Sequence, residues 1–272
     1  MRIWLNGTLQ DDLAGVSPLD HGLTTGDGVF ETVKIVHGRP FAVTKHLERL
    51  VRSAVGLGLP APELAQVEEG IAAVVKAEPD IPFGRLRITY TGGVSPLSSD
   101  RGTSGPTLLV AAQAIQRPAP TSAIVTVPWV RNERSAVAGL KTTSYAENVR
   151  ALAYAKERGG SEAIFANTVG HLCEGTGSNI FCVYDGELVT PTLASGALEG
   201  VTRGLVLAWF GAVERDVPLE RLAEADEVFL TSTTRDVQPV HKVDERDLAA
   251  PGEVTAAVAK TFAERAGEDL DP

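Results

Sequence analysis

The chain has 272 residues, 43% hydrophobic and 22% charged, with a formal net charge of −10. That is ample for a large core in one or two domains, and so acidic a balance sets nucleic acid aside, because a phosphate backbone demands a basic face. Two cysteines, Cys173 and Cys182, make neither a disulfide framework nor a metal-type cluster with histidine, and no apolar run approaches a membrane span, so a reduced, cytoplasmic protein without metal is expected.

Arg2 to Gly7 reads as a strand running into an Asn-Gly hairpin turn, not as a signal peptide. Gly26-Asp27-Gly28 precedes an alternating strand from Val29 to Val36, closed by a turn at His37-Gly38. Thr44 is placed to cap a helix from Lys45 to about Gly56, with Leu47, Leu50, Val51 and Ala54 on one face and His46 and Arg49 together on one side. A second helix is expected over 63–77 and strands over 84–90 and 107–114, with a long Gly/Ser/Pro-rich loop between those strands. Residues 116–121, with two prolines, read as a linker that divides 1–115 from 122–272. Beyond it, strands are expected over 124–129, 162–166, 179–184, 187–190 and 227–231, and helices over 146–157, 201–210 and 253–266. An Asp185-Gly186 turn falls between the third and fourth of those strands, and the tail after Gly267 is acidic and expected to fray.

Four stretches carry chemistry. Lys141 sits in Gly139-Leu140-Lys141-Thr142-Thr143-Ser144-Tyr145, among small and hydroxyl side chains. A lysine that must lose its proton to react suits such company better than a field of carboxylates. Glu174 is followed by Gly175-Thr176-Gly177-Ser178-Asn179, residues small enough to let a flat ring approach the backbone. Val201 and Thr202 open a helix, where backbone N–H groups and the dipole favour an anion. Ser232 and Thr233 lie in a hydroxyl cluster directly after a strand. One lysine, one carboxylate and two hydroxyl-rich turns suit a phosphorylated aldehyde cofactor, with the lysine on the aldehyde, the acid facing the ring nitrogen and the turns donating to phosphate. Each also has a plainer reading: a surface lysine, a loop glutamate and two ordinary turn caps.

With Gly26-Asp27-Gly28-Val29-Phe30-Glu31-Thr32 and His46-Leu47-Glu48-Arg49-Leu50 added, these stretches resemble, in order and over essentially the whole chain, the fold-type IV pyridoxal-phosphate enzymes. These are branched-chain and D-amino-acid aminotransferases and 4-amino-4-deoxychorismate lyase. The resemblance implies an α/β (α+β) fold with a small N-terminal α/β domain, a larger barrel-like C-terminal domain, pyridoxal 5′-phosphate between them, and a homodimer. It implies that Lys141 carries the cofactor and shuttles the substrate proton, that Glu174 pairs with the ring nitrogen, and that Asn179 supports it. Arg49, Val201, Thr202, Ser232 and Thr233 would then hold the phosphate, Tyr145, set four residues past Lys141 on the same helical side, the phenolic oxygen, and Leu198 would pack on the ring.

Phe30, Glu31 and Thr32 lie on a strand that in this family supplies substrate contacts, although a half-buried strand with one polar face explains them equally. Arg87 and Arg101 are candidates for binding substrate carboxylates, or surface charges. Cys173 reads as packing beside the site. D-amino-acid aminotransferases carry a tyrosine where this chain has Phe30, and an arginine–histidine pair after the strand that here ends Thr91-Gly92-Gly93. Branched-chain enzymes are usually longer. The resemblance therefore points first to the lyase, which eliminates pyruvate from a small amine substrate to give 4-aminobenzoate. An aminotransferase for branched-chain or D-amino acids and a cofactor-binding protein with little turnover are the alternatives.

Overall fold

Two tight turns start the first sheet. Asn6-Gly7 and His37-Gly38 all have positive φ, the type I′ geometry whose twist matches paired strands. The turns join β1 (Arg2–Leu5) to β2 (Thr8–Gln10) and, beyond the short helix α1 (His21–Thr24), β3 (Gly28–Val36) to β4 (Arg39–Pro40). Helices α2 (Val43–Gly56) and α3 (Leu64–Ala77) follow, then β5 (Phe83–Thr91) and β6 (Thr107–Ala114). The computed structural model describes residues 1–11 and 15–272. Among them these strands pair antiparallel in the order β2-β1-β6-β5-β3-β4.

The side-chain period of two sorts β3. Val29, Val33 and Ile35 join Leu86, Ile88 and Val110 in a core closed by Leu47, Leu50 and Ala54 of α2 and Val67, Ile71 and Val74 of α3. Each valine, leucine and isoleucine among them contributes roughly 1.5–3 kcal/mol when fully buried. A Cβ on Gly70 would stand 2.9 Å from the Trp4 ring, so glycine there lets α3 lie close on β1.

Two expectations for this unit are corrected. The cap of α2 is Ala42 in the left-handed region, and Thr44 lies inside the helix, its N–H and hydroxyl both donating to the Asp271 carboxylate at 2.8 and 2.6 Å. The acidic tail is accordingly tied down, with the Leu270 carbonyl accepting from the Ala42 N–H at 2.7 Å. An acceptor for the first turn of a helix that comes from so far away in sequence cannot be recognised from local capping rules.

The second unit contains β7 (Ser122–Arg131), α4 (Ala146–Lys156), β8 (Glu162–Asn167), β9 (Leu172–Gly175), β10 (Asn179–Tyr184) and β11 (Glu187–Thr190). It continues through α5 (Val201–Trp209), β12 (Val213–Glu214), β13 (Glu227–Ser232), β14 (Asp236–Val243), β15 (Arg246–Asp247) and α6 (Glu253–Glu268). Its strand order is β12-β11-β10-β13-β14-β7-β8-β9, with β15 beside β14. Only three residues link β9, at one end of that order, to β10 near the other. The sheet must therefore curl back on itself, as the expected barrel-like domain requires. Ala151 and Ala155 of α4 pack on Val125, Val127, Ala163 and Phe165.

Strand β14 was not expected. Its sequence contains Pro239, and an internal proline argues against a central strand because it cannot donate to the ladder. Pro239 stands opposite Phe229, and the strand bulges just beyond it, between Val240 and Lys242.

The chain divides into Met1–Arg117 with Leu140–Tyr145 and Leu270–Pro272, and Pro118–Gly139 with Ala146–Asp269. Among the described residues no helix is long and apolar enough to cross a membrane.

Candidate active site

In the first unit β3 acts as a ruler for the lysine segment. The Phe30 N–H donates to the Lys141 carbonyl at 2.9 Å, and the Thr143 N–H donates to the Gly28 carbonyl at 2.8 Å. Thr142 bridges Val29, and the Thr143 and Ser144 hydroxyls both donate to the Gly26 carbonyl. Gly26 has φ +73, and a Cβ there would lie 2.5 Å from Ser144 Oγ, so the glycine is required twice over.

This anchoring sets Lys141 Nζ 4.4 Å from the centre of the Phe30 ring and 5.9 Å from that of Tyr145, and the two rings meet edge-on at 5.1 Å. Tyr145 precedes α4, so it neighbours Lys141 through the extended segment and not through the helical spacing the sequence suggested. On the same Phe30 ring, Arg87 places its guanidinium carbon 3.5 Å from the centre and donates from Nε to Thr89 Oγ1. Burial lowers the Arg87 pKa to about 10, with its neighbour Arg85 adding to the effect. Thr32 stands opposite Arg87 in the strand register. Lys141, Tyr145, Phe30, Arg87 and Thr32 thus belong to one neighbourhood.

Arg49 and Arg101 lie elsewhere in this unit. Arg49 is 5% exposed, which removes the reading of a solvated helix face. Its Nε and Nη2 both donate to Glu31 at 2.7 Å, and the same carboxylate lies 2.7 Å from His46 Nδ1. Glu31 was considered for substrate contact, but it faces α2 and its role is to hold Arg49. The sequence signal was available: a glutamate at a core-facing position between Val29 and Val33. Arg101 donates to both Asp27 oxygens and to the Leu57 and Gly58 carbonyls. Asp27 also meets His21 Nδ1 at 2.9 Å, and His21 Nε2 meets the Ser98 carbonyl. Both partners of that ring are acceptors, so both its nitrogens donate, and the Ser98 and Asp27 bonds raise the His21 pKa.

In the second unit Glu174, on β9, is held from two sides. Its Oε2 accepts the Leu198 N–H at 2.9 Å, and its Oε1 lies 3.3 Å from Arg131 Nε. Asn179, at the start of β10, donates to the Leu198 carbonyl at 2.8 Å. Glu174, Asn179 and Leu198 are therefore one linked group. A Cβ on Gly200 would stand 2.0 Å from Asn179 Oδ1, so that glycine lets the turn before α5 close on the asparagine. Helix α5 begins at Val201 with Gly200 as its cap, which offers no side-chain acceptor, and Thr202 follows, 5% exposed. Ser232 ends β13, and Thr233 lies in the three-residue loop between the paired residues Ser232 and Asp236.

Cys173 is buried, its thiol donating to the Ser195 carbonyl, and burial pushes its pKa up to about 12, as suits a packing residue. Arg131 was not anticipated from the sequence. It stacks over Phe165 at 4.1 Å and pairs with Glu147 at 2.6 Å, and nothing in the run Pro128-Trp129-Val130-Arg131 marks it as the neighbour of a glutamate on β9. Among the described residues no group of three or more His, Cys, Asp or Glu side chains could hold a metal ion.

Comparison with known proteins adds three kinds of likeness. Residues 28–243 match the family model for amino-transferase class IV. A Methanocaldococcus jannaschii protein assigned as a branched-chain-amino-acid aminotransferase is 31% identical over 274 residues, covering 96% of this chain and 95% of that one. The D-alanine aminotransferase of Staphylococcus haemolyticus is 30% identical, covering 89% of each. The crystal structure of a branched-chain aminotransferase from Thermoproteus uzoniensis with norvaline superimposes with a TM-score of 0.89 at 31% identity, over 97% of this chain and 94% of that one. The family match spans most of the chain and the likeness extends through both units, so this protein belongs to the class IV aminotransferases, a family of pyridoxal 5′-phosphate-dependent enzymes.

Proposed function

We propose that this enzyme transfers the amino group of a branched-chain or D-amino acid to a 2-oxo acid. The observation that carries this reading is the shared Phe30 ring, with the Lys141 amine 4.4 Å and the Arg87 guanidinium 3.5 Å from its centre. An amino acid carries its amine and its carboxylate on one carbon: the lysine is the group that the amine would displace from the cofactor, and a guanidinium on the same ring suits the carboxylate. The named relatives are both aminotransferases, which puts transamination ahead of the pyruvate elimination that resemblance alone favoured.

The donor set fits the family's cofactor. An α5 start without a side-chain cap, the Thr202 hydroxyl, and Ser232 and Thr233 suit a phosphate dianion. Glu174, kept as an acceptor by the Leu198 N–H, suits a protonated ring nitrogen. When bound, pyridoxal 5′-phosphate supplies an electron sink. Lys141 would act as the base for the proton on the amine-bearing carbon of the donor. Tyr145 and Phe30 wall the lysine, and Arg87 would orient the carboxylate. On this reading the first unit is the small domain and the second the larger cofactor-binding domain.

The test is a donor screen with the cofactor present, using L-leucine, L-valine and D-alanine against 2-oxoglutarate and pyruvate, beside aminodeoxychorismate alone. Amino transfer from one of the amino acids is expected. Release of pyruvate and 4-aminobenzoate, with no transfer, would replace this reading by the lyase. Arg87→Met should raise KM for the amino acid roughly ten- to a hundredfold, the value of a hydrogen-bonded charge pair. It should leave transfer from a simple primary amine such as benzylamine close to wild type. Equal losses on both donors would remove Arg87 from carboxylate binding.

A further inference from the structure

Glu162 is a charged side chain at the start of β8, 1% exposed, and it has no part in the chemistry above. Five donors converge on its two oxygens. Oε1 accepts the Ala163 N–H at 3.1 Å, the Thr176 N–H at 3.0 Å and the Thr176 hydroxyl. Oε2 accepts the Ser178 hydroxyl at 3.0 Å and Arg235 Nη1 at 2.9 Å. A carboxylate offers about four lone-pair sites, so this one is filled, and only the ionised form can accept from all of these partners. Apart from the adjacent Ala163, the partners come from two places in the chain. Thr176 and Ser178 form the turn between Glu174 and Asn179, and Asn148 of α4 fastens the same turn from the other side, through the Thr176 carbonyl at 2.7 Å. Arg235 closes the loop that carries Thr233, its N–H donating to the Ser232 carbonyl.

We propose that Glu162 is a positioning residue that ties the turn following Glu174 to the Ser232–Arg235 loop, so that the carboxylate meant for the ring nitrogen and the hydroxyls meant for the phosphate keep a fixed spacing. The inference rests on the functional reading above. Its physical basis is that one rigid, fully bonded anion at the root of two turns fixes both together, whereas the backbone bonds within each turn, and Asn148 on the first, hold each turn singly. Gly175 belongs to the same device: a Cβ there would meet the Glu162 carboxyl carbon at 3.1 Å and Ser178 Oγ at 2.3 Å.

Glu162→Gln keeps the shape and breaks the set. If the amide oxygen keeps the Thr176 donors, the amide NH2 meets Ser178 and Arg235. The serine hydroxyl can reverse and accept, but the guanidinium cannot. Arg235→Met, at a partly buried position, removes the second link alone. The full chain, stripped of cofactor, is titrated with pyridoxal 5′-phosphate and separately with pyridoxal, and the absorbance of the bound chromophore is followed against pH. Glu162→Gln should weaken pyridoxal 5′-phosphate roughly ten- to a hundredfold, the range for losing bonds to a charged group, and should shift the pH at which the chromophore titrates, because Glu174 moves with its turn. Arg235→Met should weaken pyridoxal 5′-phosphate but not pyridoxal, with the titration unchanged. Wild-type affinities and an unshifted titration in folded Glu162→Gln would overturn the proposal, as would equal weakening of both compounds in Arg235→Met. Should Glu162→Gln not fold, the Arg235→Met arm decides alone. Failure of the wild type to bind either compound would instead sink the functional reading, and this inference with it.

Discussion

Lys141→Ala is expected to lower turnover by at least about 10³-fold with every donor that the wild type accepts, since a general acid–base group contributes on the order of 10²–10⁴ and, on the proposed reading, this one would also hold the cofactor. The loss should fall on kcat. On the proposed reading Arg87 and the Phe30–Tyr145 pair would still bind the substrate, and the segment is held by backbone atoms, the Phe30 N–H to the Lys141 carbonyl and the Thr143 N–H to the Gly28 carbonyl. Alanine keeps all of these, so thermal stability should be nearly unchanged. Added small amines should restore part of the activity by taking over the proton transfer. A variant that kept wild-type kcat would show that the chemistry lies elsewhere in the chain.

Glu31→Ala should have the largest effect on stability. It leaves the Arg49 guanidinium buried without its carboxylate, and breaking a buried pair on one side costs about 3–5 kcal/mol. Glu31→Gln should cost less but share the symptom. Burial alone would raise the Glu31 pKa, but the Arg49 charge and hydrogen bonds, helped by His46, outweigh it and hold the carboxyl far below the usual range. A carboxyl depressed in the folded state contributes its full stability above the unfolded value, roughly 4.3, and loses it as pH falls from there toward the folded value. Urea unfolding at pH 7 and again across pH 5 to 3 checks both points. The wild type should lose stability steeply below about pH 4, and Glu31→Gln should lose less over the same interval. Parallel curves for the two proteins would show that the triad does not carry the acid sensitivity.

Much of this was legible in the sequence where the signal is local. The turns at Asn6-Gly7, His37-Gly38 and Asp185-Gly186 follow from residues that tolerate positive φ, and the strands they join follow from alternation. The lysine and glutamate stretches were legible because their composition is unusual for their setting. What escaped was long-range. The Asp271 contact to Thr44 spans most of the chain, Arg131 meets Glu174 only across β8, once β7 and β9 flank that strand, and β14 hides behind Pro239. Glu31 and Glu162 show a middle case: a charge at a buried strand position announces a partner, but nothing in the local sequence says which one.

The central claim is that the cofactor is attached at one amine. Reduction of the purified holoenzyme with borohydride, followed by digestion and peptide mass measurement, tests it directly. A single stable phosphopyridoxyl group is expected, on the peptide that contains Lys141. A label on another lysine, or none on protein that is active, would contradict it.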